Sequence, residues 1–129
     1  MSLFVENEPN YILVATSCAY AAPAIAAYLH NEFLLSQLCS LLIITSIQYH
    51  GNPSRISFLL DQFAIYMFVL KALYVNFTGF CGILAYAVFI HYGPYKHHLT
   101  HHPHYLVASL WHGSLHIIPA FAVTGHFLI

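Results

Sequence analysis

Phe33 to His50 reads FLLSQLCSLLIITSIQYH, a run without a single Asp, Glu, Lys or Arg, and it closes on a serine and a histidine four residues apart, Ser46 and His50. Apolar residues at this length, about 18 to 20 in a row, are enough for a helix to cross a bilayer. Four-residue spacing on a helix brings two side chains to one face. This stretch therefore states both themes of the chain, apolar spans and polar groups placed inside them.

Working outward, the pattern repeats. Upstream, Asn10 to Leu29 is a first span, with small residues Ala15, Ala19, Ala22 and Ala26 at near-helical spacing for close helix approach and Pro23 as a kink. His30, Asn31 and Glu32 form a short polar break before Phe33. Downstream, Gly51 to Arg55 is a turn in which Asn52 before Pro53 signals a helix start. A third span follows over 56–75, a turn over 76–79, and a short fourth span over 80–92. Gly93 to His104 is the one long polar loop, and a fifth apolar span runs over 105–129. The reading is all-α: a single polytopic transmembrane helix bundle of about five spans, residues 1–129, with no room for a second domain.

Composition agrees. Of 129 residues 60% are hydrophobic and 5% charged, with Arg55, Lys71 and Lys96 as permanent cations and Glu6, Glu8, Glu32 and Asp61 as acids. A water-soluble domain carries far more charge. A net charge of −1 provides no basic patch for nucleic acid. The first ten residues lack Lys and Arg, hence the basic region of a cleavable signal peptide, and the first span is expected to be retained. Cys18, Cys39 and Cys81 fall singly in apolar segments and read as buried free thiols. The sequon at Asn76 lies in a tight membrane hairpin and is expected to go unused.

In such a chain an ionisable side chain within a span is costly, which makes it a functional residue by default. Asp61 is the only acid inside a span. His112 and His116 share one helical face, as Ser46 and His50 do. With five spans, the turn after the second and the loop before the fifth lie on the same membrane face, so His50, Asp61, His112 and His116 all enter from that side. Rise per residue puts Asp61 about 8 Å in, His112 about 10 Å and His116 about 16 Å, leaving His50 shallow. Three imidazoles leave the fourth position of zinc open to water, as in catalytic sites. A nearby carboxylate then accepts the proton that the metal acidifies.

Ser-x3-His on an early helix, Asp on the next and His-x3-His on the last resemble the superfamily of seven-helix membrane hydrolases that includes alkaline ceramidases and adiponectin receptors, the CREST superfamily. The eleven-residue step from His50 to Asp61 and the string Asp61-Gln62-Phe63-Ala64-Ile65-Tyr66 look most like the alkaline ceramidases. The resemblance covers roughly Thr45 to Tyr66 and Leu110 to Pro119. It implies that His50, His112 and His116 hold Zn2+, that Ser46 and Asp61 complete the catalytic site, and that the substrate is a ceramide-like membrane lipid cleaved at its amide. It also implies residence in the endoplasmic reticulum or Golgi. The chain departs from the family in having five spans rather than seven, a loss of two that preserves the sidedness of the site.

Two other readings compete. A non-catalytic membrane protein keeping a structural or vestigial metal site has the same ligands. The loop string His97-His98-Leu99-Thr100-His101-His102 contains HxxHH, a box of membrane di-iron desaturases and hydroxylases. The plainer reading of His97, His98, His101, His102 and His104 is a solvated interfacial loop. Lys71 is expected to snorkel to the interface, and His30 and His126 to sit at the opposite boundary.

Overall fold

The three-residue polar break at His30 to Glu32 is enough to reverse the chain because Asn31 adopts a left-handed backbone, φ 62°, which asparagine tolerates better than most residues. Glu32 N–H then donates to Ala27 C=O at 2.9 Å and Asn31 N–H to Tyr28 C=O at 3.1 Å, satisfying the last carbonyls of one helix as the next begins. The structure is a computed structural model that describes residues 8–129. Its helices are α1 (Tyr11–Ser17) and α2 (Ala21–Leu29), joined by a 3-10 turn at Cys18–Tyr20, then α3 (Phe33–Gly51), α4 (Arg55–Val75), α5 (Phe77–Tyr92) and α6 (Tyr105–Leu128). The fold is an all-α helical bundle.

Four segments, Tyr11–Leu29, Phe33–Gly51, Arg55–Val75 and Tyr105–Leu128, are long and apolar enough to cross a membrane. α5 has 16 residues, about 24 Å at 1.5 Å per residue, against a hydrocarbon core of about 30 Å. Local thinning of the bilayer accommodates such a mismatch. The outer face of α4 shows Ile56, Leu59, Phe63, Leu70 and Tyr74 exposed, a surface suited to lipid.

Several local expectations are corrected. The first span bends before Pro23, at Cys18–Tyr20, because the proline ring crowds the carbonyl four residues back, that of Ala19. Of Ala15, Ala19, Ala22 and Ala26 only Ala26 is buried; the inward stripe is Leu13, Ser17, Tyr20, Ala24 and Ala27. Ser17 on this face donates to Leu13 C=O at 2.6 Å within its own helix. The cap of α4 is Ser54, not Asn52. Ser54 Oγ accepts from Ser57 N–H at 3.0 Å, and Ser57 Oγ accepts from Ser54 N–H at 2.9 Å, a reciprocal capping box. The turn expected over 76–79 shrinks to Asn76 alone, which ends α4 and caps α5 by accepting from Gly79 N–H at 3.0 Å. Its amide also lies 3.3 Å from His126 Nδ1. Lys71 pairs with Glu32 at 3.0 Å; both ends are partly exposed, so the bond contributes at most about 1 kcal/mol.

The helices pack in a ring: α1 and α2 on α3 and α6, α3 also on α4, α4 on α5, and α5 on α6. The ring closes around two unlike halves. Leu35, Cys39, Leu42, Phe68, Ala72, Phe80, Ala120 and Val123 form an apolar core, all from the helix ends nearest the His30–Glu32 turn. The other half holds the polar groups.

Candidate metal centre

His50 lies in the last turn of α3, and its carbonyl is one of the four that a helix end leaves without an internal partner. Asn10 N–H donates to that carbonyl at 2.7 Å. Asn10 Nδ2 donates to Ser109 Oγ at 2.9 Å, and Tyr105 Oη donates to Asn10 Oδ1 at 3.0 Å. One asparagine thus fastens the ends of α1, α3 and α6 at a common level. His112 is then about 4.5 Å and His116 about 10 Å deeper than Ser109 along α6.

The apparent mismatch in depth closes through side-chain direction. In a helix the Cα–Cβ bonds tilt toward the N-terminus. α3 ends at this face, so His50 leans into the bundle; α6 begins here, so His112 and His116 lean back toward the surface. The three rings meet in a near-equilateral triangle, with centroids 5.2 Å (His50–His112), 5.3 Å (His50–His116) and 5.3 Å (His112–His116) apart. One nitrogen from each lies within 4.8 Å of the others. Tetrahedral zinc with Zn–N of about 2.0–2.1 Å needs nitrogens about 3.4 Å apart. Small rotations of the rings cover the difference, so the donor set fits such an ion. His50 and His116 are buried and His112 is half-buried.

The orientation of His116 is fixed from α1. Thr16 Oγ1 lies 2.9 Å from His116 Nδ1 and 3.2 Å from Leu13 C=O. With the hydrogen on Nδ1 and Thr16 as its acceptor, Nε2 keeps its lone pair for a metal, the arrangement by which an outer partner sets a ligand's tautomer. Gly113 makes this reach possible: a Cβ on it would stand 3.1 Å from Thr16 Cγ2.

Asp61 is buried in α4 and faces α3. Its Oδ1 accepts from Ser46 Oγ at 2.6 Å and Thr45 Oγ1 at 3.0 Å. Ser46 is one helical turn deeper than His50 on the same face of α3. All five residues singled out in the sequence are thus brought together as a histidine triad and an adjoining serine–aspartate pair. Sequence reasoning missed Asn10, Thr16, Thr45 and His91. His91, in the last turn of α5, has its ring centroid 5.7 Å from that of His112.

The loop is less solvated than expected. Thr100 is buried and donates to Ile90 C=O at 3.4 Å, folding the loop back onto α5. His97, His98 and His104 are exposed, and His102 Nδ1 accepts from His104 N–H at 2.9 Å. Among the described residues the only group of three or more metal-binding side chains in mutual reach is His50, His112 and His116, so the HxxHH string assembles no ligand set. His30 and His126 lie at the far end of the bundle. His30 stacks on Phe127 at 5.4 Å.

No family model matches the chain, and no curated protein or solved structure does either.

Proposed function

We propose that the protein is a zinc-dependent intramembrane hydrolase of the ceramidase type, cleaving an amide bond in a lipid. The observation that carries this reading is the convergence of three imidazoles from α3 and α6 beside a buried carboxylate held by Ser46. Bound to the three imidazoles, zinc supplies Lewis acidity, bringing the pKa of a water to about 7. The chain's own residues do the rest. Thr16 holds His116 in the tautomer that offers Nε2. Thr45 and Ser46 fix the plane of the Asp61 carboxylate, which takes the proton from the attacking water. Ser46 Oγ, one turn from His50, donates to Asp61 at rest and becomes a donor to a developing oxyanion once Asp61 is protonated.

Mass spectrometry of N-acyl lipids incubated with detergent-purified protein tests the proposal. Release of fatty acid, lost on chelation and restored by zinc, supports it. No product from a broad panel, with one zinc per chain confirmed, overturns it in favour of a non-catalytic metal protein. Two cavities lie away from the site. One of about 70 Å³ lies at the far end, lined by Leu35, Asn76, Phe80 and His126; an open groove of about 560 Å³ runs along the outside of α5. Neither is lined by a residue of the triad.

A further inference from the structure

His91 was unremarkable in the sequence, a single histidine near the end of a short span. Its position gives it a different meaning. Its ring centroid lies 5.1 Å from that of His101 and 5.7 Å from that of His112, and His97 stands a further 6.4 Å out from His101. Histidines therefore run in file from the exposed loop to the half-buried member of the triad. His91 Nδ1 is buried with no hydrogen-bond partner among the described residues, although a buried polar atom without one is uncommon and costly. The Thr100 bond to Ile90 holds the loop in this register.

The geometry points to His91 and His101 as a second site for a divalent d-block cation, a loading position through which the ion passes to the triad. This rests on the proposal that the triad holds a metal. Two nitrogens, with the third histidine exposed and farther off, make an open and weak set rather than a resident one. Asn10 lies over the α1, α3 and α6 ends, and Thr16 packs behind His116. A bare dication moved through an apolar bundle meets a prohibitive desolvation cost. Passing between neighbouring imidazoles, it exchanges one ligand at a time.

The test uses full-length protein in detergent, stripped of metal and mixed with Co(II), whose visible absorption reports tetrahedral histidine ligation. In the double variant His91→Gln, His101→Gln, uptake and chelator-driven release should both slow by about tenfold, the effect of removing one stabilised stop on the path. Saturation should remain at one ion per chain with unchanged affinity. An unchanged uptake rate overturns the proposal, and so does a fall in the final stoichiometry. The pair His98→Gln, His104→Gln, on the exposed loop, should load at the wild-type rate; equal slowing there would show a diffuse loop effect and also overturn it. Failure of the triad reading looks different: His50→Ala and His116→Ala would retain the tight ion while the His91/His101 variant loses it. A wild-type protein that takes up no Co(II) removes both proposals.

Discussion

Asp61 sits where its two possible roles make opposite predictions. As proton acceptor it is dispensable for metal binding; as ligand it is not. Asp61→Asn preserves size and hydrogen-bonding capacity, so turnover should fall by about 10²- to 10⁴-fold, the usual loss with a general base, while zinc content stays near one per chain by elemental analysis. Zinc lost along with activity would make Asp61 a ligand. Ser46→Ala should keep the metal and lose about 10²- to 10³-fold, as for an oxyanion donor. Thr16→Val keeps the shape beside Gly113 and removes the hydroxyl that lies 2.9 Å from His116 Nδ1, together with its bond to Leu13 C=O. Metal affinity in a competition titration should weaken by about 10- to 100-fold, the typical cost of losing an outer partner of a ligating histidine. Ionisable residues and a matched Ser-x3-His were legible in the sequence because nothing else explains them inside apolar spans. Thr16 and Thr45 were not, because each also bonds a carbonyl three residues back, Leu13 and Leu42 respectively. A helical threonine is already accounted for by that local bond, and its second contact is a fact of tertiary packing.

At the scale of elements, the bundle was legible from apolar length and punctuation, with shifts of a few residues at the turns. The helix faces were not. The alanines at 15, 19, 22 and 26 offered a small-residue stripe, yet the buried face is that of Leu13, Ser17, Tyr20, Ala24 and Ala27, with Thr16 beside His116. Likewise the site closes because α3 and α6 run in opposite directions and their side chains lean toward one another, a relation that depth counting along single helices omits. The loop after α5 joins this face without supplying a resident ligand. Replacing His97, His98, His101, His102 and His104 together by Asn or Gln should therefore leave one tightly bound zinc at equilibrium, though reached more slowly. Iron found in pairs, and lost with this loop, would restore the di-iron reading.

Across the whole molecule, apolar packing and polar chemistry occupy opposite halves of one ring of helices. The core from Leu35 to Val123 holds the far half together; along their lengths α3 packs on α1, α2 and α4, and α6 on α1, α2 and α5. Across the bundle, His50 on α3 meets His112 and His116 on α6. A metal bound there ties two helices that are otherwise joined through their neighbours. Binding to the folded state alone stabilises it by RT ln(1 + [L]/Kd), about 4 kcal/mol at free zinc a thousandfold above Kd. Thermal unfolding in detergent should shift upward by several degrees on adding zinc to stripped protein, and the shift should grow with the logarithm of free zinc. His50→Ala, which removes the only ligand from α3, should abolish it. Asp61→Asn should retain it, since the carboxylate is assigned to chemistry rather than to holding the ion. A zinc-dependent shift that persists in His50→Ala would place the stabilising ion elsewhere and break the link between the triad and the architecture of the bundle.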